Sequence, residues 1–144
     1  MLPIEHLILG IFPAIYFVEN QSIYFALTFF LANILIDLDH YLFVIFKTNF
    51  KFTKFMHIYK FYKGNKTNLL INAIYVFHTI EFIGILYLVY YFTKEILIIA
   101  VILGVIFHML FDFIEVIFWK IKKTKIHFKK TSIIYYLIKR LIKK

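Results

Sequence analysis

Long apolar runs dominate this chain, and a few acidic and imidazole side chains interrupt them. Ile23–Phe46, Leu69–Phe92 and Ile96–Trp119 are each 24 residues of largely hydrophobic sequence. At about 1.5 Å per residue each reaches roughly 36 Å as a helix, enough to cross a hydrocarbon core of about 30 Å with some tilt. Leu2–Val18 is shorter and contains Pro13, so the pattern predicts a kinked or marginal further span. It lacks the basic start and small-residue cleavage site of a signal peptide. Beyond Trp119, Lys120–Thr131 is basic. In Ile133–Lys144 the residues Ile134, Leu137, Ile138, Leu141 and Ile142 repeat at helical spacing between lysines and an arginine. The expected fold class is all-α. Residues 1–119 form an integral membrane bundle of about four transmembrane helices, and residues 120–144 form a basic cytoplasmic linker and an interfacial amphipathic helix.

Composition agrees with that class. Hydrophobic residues make up 62% of the 144 and aromatic residues 22%, too apolar for a water-soluble surface. The net charge of +9 would suit a nucleic-acid partner, but its distribution reads as topology instead. Six lysines lie between Ile23–Phe46 and Leu69–Phe92 and ten basic residues follow Trp119. Sixteen of the 17 basic residues thus share one side, with Lys94 opposite. The positive-inside rule makes that side cytoplasmic and puts both termini there, consistent with an even number of spans. The expected partners are the lipid bilayer and its anionic headgroups, met by the Lys-rich segments, and no nucleic acid. The aromatic, basic stretch Phe50–Asn68 is expected to lie against those headgroups.

The polar interruptions carry the chemistry. Counted from the cytoplasmic helix ends, Asp37–His40 lie roughly 9–14 Å deep, His78 and Glu81 about 14–18 Å, and His108 and Asp112 about 10–16 Å. Three runs of alternating direction thus bring their ionisable groups into one slab of the inner half. Ionisable side chains at that depth are costly and are read first as a functional site. Imidazoles and carboxylates together are ligands for divalent metals, and with no cysteine in the chain thiolate ligands are absent. His78 and Glu81 are spaced i,i+3 and His108 and Asp112 i,i+4, so a regular helix puts each pair on one face. Asp37 and His40 pair in the same way, with Asp39 pointing elsewhere unless the helix unwinds there. Two carboxylates as close as Asp37 and Asp39 repel unless a cation or proton lies between them. Glu115 and His6 stand nearer helix ends. His57 and His127 fall in interfacial segments and read as ordinary. Taken singly, any of these residues can simply hydrogen-bond across helices.

Asp37-Leu38-Asp39-His40, with His6 before it and Gly104-Val-Ile-Phe-His108-Met-Leu-Phe-Asp112 after it, resembles the YdjM-like family of LexA-regulated, membrane-bound metal-dependent hydrolases. The likeness covers Glu5–Glu115. Two departures stand out: Ile36 replaces a proline of the family pattern, and His78-Thr79-Ile80-Glu81 stands where the family has Thr-His-Ser. The resemblance implies metal ligands at His6, Asp37, Asp39, His40, His108 and Asp112, with His78 and Glu81 as further ligands. The family is in turn distantly similar to the zinc-dependent phospholipase C and P1 nuclease group, which implies phosphoester hydrolysis.

The expected function is therefore a metal-dependent hydrolase of phosphoesters with its site on the cytoplasmic side. The expected cofactor is two or more Zn²⁺ ions, or Mn²⁺, with Asp37 or Asp39 bridging and Glu81 as general base. The depth of the site points to a lipid phosphoester, with soluble phosphoesters the alternative. Two other classes compete. One is a structural metal that locks the bundle. The other is an ion or proton pathway, which the apolar outer halves disfavour.

Overall fold

The structure, a computed structural model, describes residues 3–47 and 75–121. Among these residues it is all-helical. The elements are α1 (Pro3–Asn20), α2 (Ile23–Leu35), α3 (Leu38–Lys47), a 3-10 turn (Val76–His78), α4 (Ile80–Thr93) and α5 (Ile96–Ile121). The expectations for Phe50–Asn68, His57, His127 and the amphipathic helix at 133–144 lie outside the described residues. Helix α5 continues past Trp119 to Ile121.

Local chemistry sets the helix ends. The Ser22 hydroxyl accepts from the Phe25 amide and starts α2. Thr79 does the same for α4 by accepting from Phe82, and it also donates to the Val76 carbonyl, which holds the 3-10 turn against the helix. Lys94, in the left-handed region at φ 58°, closes α4 with its amide on the Tyr90 carbonyl and turns the chain into α5. Helix α1 runs through Pro13, which forgoes one backbone donor without ending the helix.

Two predicted runs prove to be broken. In Ile23–Phe46 the ladder tightens at Ile36–Asp37: the Asp37 amide bonds to Ile34 and the His40 amide to Asp37, three residues back rather than four. Leu69–Phe92 is not one helix over its described part, because Thr79 is extended (φ −109°, ψ 152°) between the 3-10 turn and α4. His78 and Glu81 therefore do not share a helix face, which corrects the spacing argument for that pair. The cause is the Thr79 cap, which ends one element and begins the next.

Two segments are long and apolar enough to cross a membrane: Ile23–Phe43, spanning α2 and α3, and Ile96–Glu115 in α5. In each, 28% of the residues are buried inside the protein, and about a third are exposed. Tyr24, Phe92 and Phe12 are each more than 70% exposed. Helix α4 is apolar but only 14 residues long.

Helix α2 packs on α1 and α5, and α4 packs on α5. The α2–α5 pair runs parallel with a constant offset of 75 residues. Phe29 lies against Gly104 and Asn33 against His108. Glycine is required here, since a Cβ on Gly104 would stand 2.5 Å from the Phe29 carbonyl oxygen. At one level of the bundle Phe17 meets Phe25 and Phe29 edge-on at 5.1 and 5.0 Å, and Phe107 closes on Phe29 at 5.6 Å. This aromatic core leaves the polar residues to the other end of the bundle.

Candidate metal centre

Four elements deliver the polar side chains. Helix α1 brings His6. The tightened turn between α2 and α3 brings Asp37, with Asp39 and His40 just beyond it. The 3-10 turn brings His78, and α5 brings His108 and Asp112 one turn apart. His6, His78 and His108 are 4% exposed or less, burial that imidazoles tolerate only with partners.

The hydrogen bonds fix how the two central imidazoles face. His108 Nδ1 is 2.8 Å from the Asn33 carbonyl oxygen, which can only accept, so Nδ1 carries the proton. His78 Nδ1 donates to Asp39 Oδ2 at 3.2 Å. In the neutral rings both Nε2 atoms are then bare lone pairs, yet they face each other at 3.3 Å. Asp37 Oδ1 lies 3.6 Å from one and 3.5 Å from the other. Asp112 Oδ2 lies 3.9 and 3.8 Å from the same two atoms. With these tautomers the two nitrogens face Asp37 and Asp112 with no donor among them, an arrangement that a bound cation or an added proton would relieve.

The spacing suits a metal. A tetrahedral ion with bonds of about 2.0–2.2 Å sets its ligand atoms about 3.3–3.6 Å apart, which the Asp37, His78 and His108 atoms match at 3.3–3.6 Å from one another, with Asp112 Oδ2 3.8–3.9 Å from the two nitrogens. The outward nitrogens are held by a carboxylate and a backbone carbonyl, the usual supports of metal-binding imidazoles.

Two further groups of ligand type adjoin this one. His6 stacks on His108 with centroids 3.6 Å apart, and its Nε2 is 3.4 Å from Asp112 Oδ1. Neither ring nitrogen of His6 makes a hydrogen bond, nor does Asp37 Oδ2. Asp112 thus turns one oxygen to His6 and the other to the His78–His108 pair. On the opposite flank Asp39, His40 and His78 form the third group. Here the contacts are hydrogen bonds: His40 Nδ1 donates to Asp39 Oδ1 at 2.6 Å, and the Phe77 amide to Oδ2 at 3.0 Å. Tyr75 stacks on the His40 ring at 3.7 Å.

Of the eight residues singled out by sequence, seven therefore meet in three overlapping groups. Glu81, half-buried in the first turn of α4, is in none of those groups. Asn33 is the residue that sequence reasoning passed over. Fully buried, it donates from Nδ2 to the His6 carbonyl at 2.8 Å while its own carbonyl receives His108. The signal was available, since an amide four residues before Asp37 lies on the same helix face. Gly10 makes room for it, because a Cβ there would stand 2.5 Å from Asn33 Nδ2.

The chain matches no protein-family model, and no curated protein or solved structure is significantly similar to it.

Proposed function

We propose that this chain is a membrane-embedded, metal-dependent hydrolase of phosphoesters. The observation that carries the reading is the pair of imidazole lone pairs facing each other at 3.3 Å, flanked by the Asp37 and Asp112 carboxylates. The donor set of nitrogen and oxygen suits Zn²⁺, with Mn²⁺ the alternative. His78, His108, Asp37 and Asp112 would hold one ion. His6 with the second oxygen of Asp112 would hold another, so Asp112, rather than Asp37 or Asp39, would serve both. Ions bound there supply a water of lowered pKa and offset the charge that develops on a phosphoester oxygen.

The chain's own residues do the rest. Asp39 holds the His78 ring by its Nδ1 and receives His40, so it orients rather than coordinates. Glu81 is the carboxylate assigned to take a proton from the attacking water. The water oxygen bonds to phosphorus, the ester P–O bond breaks, and the departing oxygen receives the proton. The reading agrees with the resemblance of Asp37–His40 and Gly104–Asp112 to the YdjM-like family.

We assign the bundle four spans, with α1 and α4 completing the two apolar segments. The basic loops, and with them both termini and the metal centre, lie at the cytoplasmic face. A structural metal is the second reading, favoured by the near-complete burial of His6, His78 and His108. An ion pathway is disfavoured by the aromatic core of Phe17, Phe25, Phe29 and Phe107, which offers no polar route among the described residues.

The test is metal content of the detergent-purified chain, with hydrolysis of bis(4-nitrophenyl) phosphate measured on the zinc-loaded protein. Two ions per chain, lost in Asp37→Ala and His108→Ala, with turnover abolished in Glu81→Gln while zinc is retained, are the expected results. Zinc binding without turnover of any phosphoester would transfer the site to the structural reading.

A further inference from the structure

Helices α2 and α4 both pack on α5, and between them runs an apolar groove with a cavity volume of about 320 Å³. Val101 and Val105 of α5 form its floor. Leu31 and Ile36 line it from α2, and Phe77 and Phe82 from the 3-10 turn and α4. No ionisable side chain is among its described lining residues. The end lined by Ile36 and Phe77 is the one toward the metal centre, since Asp37 and His78 follow them in the chain. The other end reaches Thr28, about 12 Å further along α2 at 1.5 Å per residue.

We infer that this groove holds one acyl chain of a membrane lipid whose phosphate-bearing headgroup lies at the metal centre. The inference rests on the hydrolase reading and gives it a substrate class, an amphiphile in place of a soluble phosphoester. Three observations carry it. First, the groove opens between segments whose outward surface is apolar: Leu31 and Leu35 at its edge are 52% and 54% exposed. In a membrane, lipid chains are the medium that meets such an edge, and water is not. Second, the direction is that of a lipid. The polar end lies at Asp37 and His108, within about 10 Å of one terminus of each apolar segment, and the groove runs from there toward the bilayer centre. A lipid in the leaflet nearer the metal centre has its phosphate and its tail in the same order, over a half-thickness of about 15 Å. Third, the order of polarity is that of an amphiphile: the described lining is apolar apart from Thr28, and the ionisable groups Asp37, His78 and His108 gather at the opposite end from Thr28.

The experiment uses the full chain in vesicles of phosphatidylethanolamine and phosphatidylglycerol, doped with phosphatidylglycerol bearing a diazirine in its acyl chain. Photolysis and peptide mass spectrometry locate the label. Labelling at Leu31–Ile36 and Val101–Val105 should exceed that at Leu88, an exposed position on α4. It should fall about tenfold in Val101→Phe, which fills the groove floor, with Leu88 labelling unchanged. Thr28→Phe, at the far end of the groove, serves as a second variant. Zinc content of both variants should equal wild type, which confirms an intact bundle.

Labelling no stronger than at Leu88, or unchanged in both filled variants, would overturn the inference and mean that protein covers the groove. The labelling is repeated on chelator-treated protein. Groove labelling without zinc binding or turnover would fail the hydrolase reading alone. Turnover of bis(4-nitrophenyl) phosphate without groove labelling would fail the acyl-chain inference alone.

Discussion

Gly104→Ala tests whether a close helix crossing sets the metal centre. The added Cβ would fall 2.5 Å from the Phe29 carbonyl oxygen and 2.9 Å from Ala32 Cβ, both on α2. Backbone cannot swing away as a side chain tip can, so α2 and α5 must separate. Recovering an ordinary contact of about 3.4 Å takes about 0.9 Å of movement. His108 lies one turn further along α5, and its bond to the Asn33 carbonyl is 2.8 Å. Transmitted in full, the movement lengthens that bond to about 3.7 Å, outside hydrogen-bond range. Overpacking of this kind costs about 1–3 kcal/mol of stability. Loss of the carbonyl that orients a metal-binding imidazole costs about 10–100-fold in affinity. Competition against a chromophoric zinc chelator measures the second effect and thermal unfolding in detergent the first. Gly84→Ala is the control: nothing lies within 4 Å of its Cβ, and the helix gains about 0.5–1 kcal/mol. Wild-type zinc affinity in Gly104→Ala would refute the argument that Gly104 positions His108.

Four other outcomes follow from the same geometry. Chelation should lower the unfolding temperature and zinc at 100 times its Kd should restore about 2.7 kcal/mol, whereas an unresponsive melting curve would mean that no ion stabilises the site. Asp37→Asn should narrow the difference between zinc-loaded and metal-free protein in the same scans, because it removes one negative charge from the crowded acceptors. Asn33→Leu removes the donor to the His6 carbonyl but keeps the carbonyl that holds His108. About 1–2 kcal/mol of stability should be lost, with the His78–His108 ion still measurable by elemental analysis. Thr79→Val removes the α4 cap and should cost about 1 kcal/mol, with a smaller loss of zinc affinity than His78→Ala in the chelator competition.

The polar constellation was legible because membrane depth makes ionisable residues conspicuous and helical rise converts sequence position to height. That reasoning brought Asp37, His78 and His108 to one level, where their ligand atoms lie within 3.3–3.6 Å of one another. Periodicity failed at His78–Glu81, because an apolar run has no polar face to reveal where its register breaks. Only Thr79, a good cap in an otherwise hydrophobic stretch, marked the interruption. The turn at Ile36–Asp37 lacks glycine and proline and shows itself through tightened hydrogen bonds alone. Asn33 escaped notice because it is uncharged. The role of Gly104 depends on a partner 75 residues away, which one-dimensional spacing does not contain.

The two-residue connection through Lys94 and Glu95 has a consequence for assembly. Because α4 leads so tightly into α5, His78, His108 and Asp112 belong to one helical hairpin, while His6, Asp37, Asp39 and His40 belong to the helices before residue 48. Neither half holds a complete ligand set. An ion at Asp37, His78 and His108 would rivet those two halves of the chain together, so that its removal would loosen one half against the other.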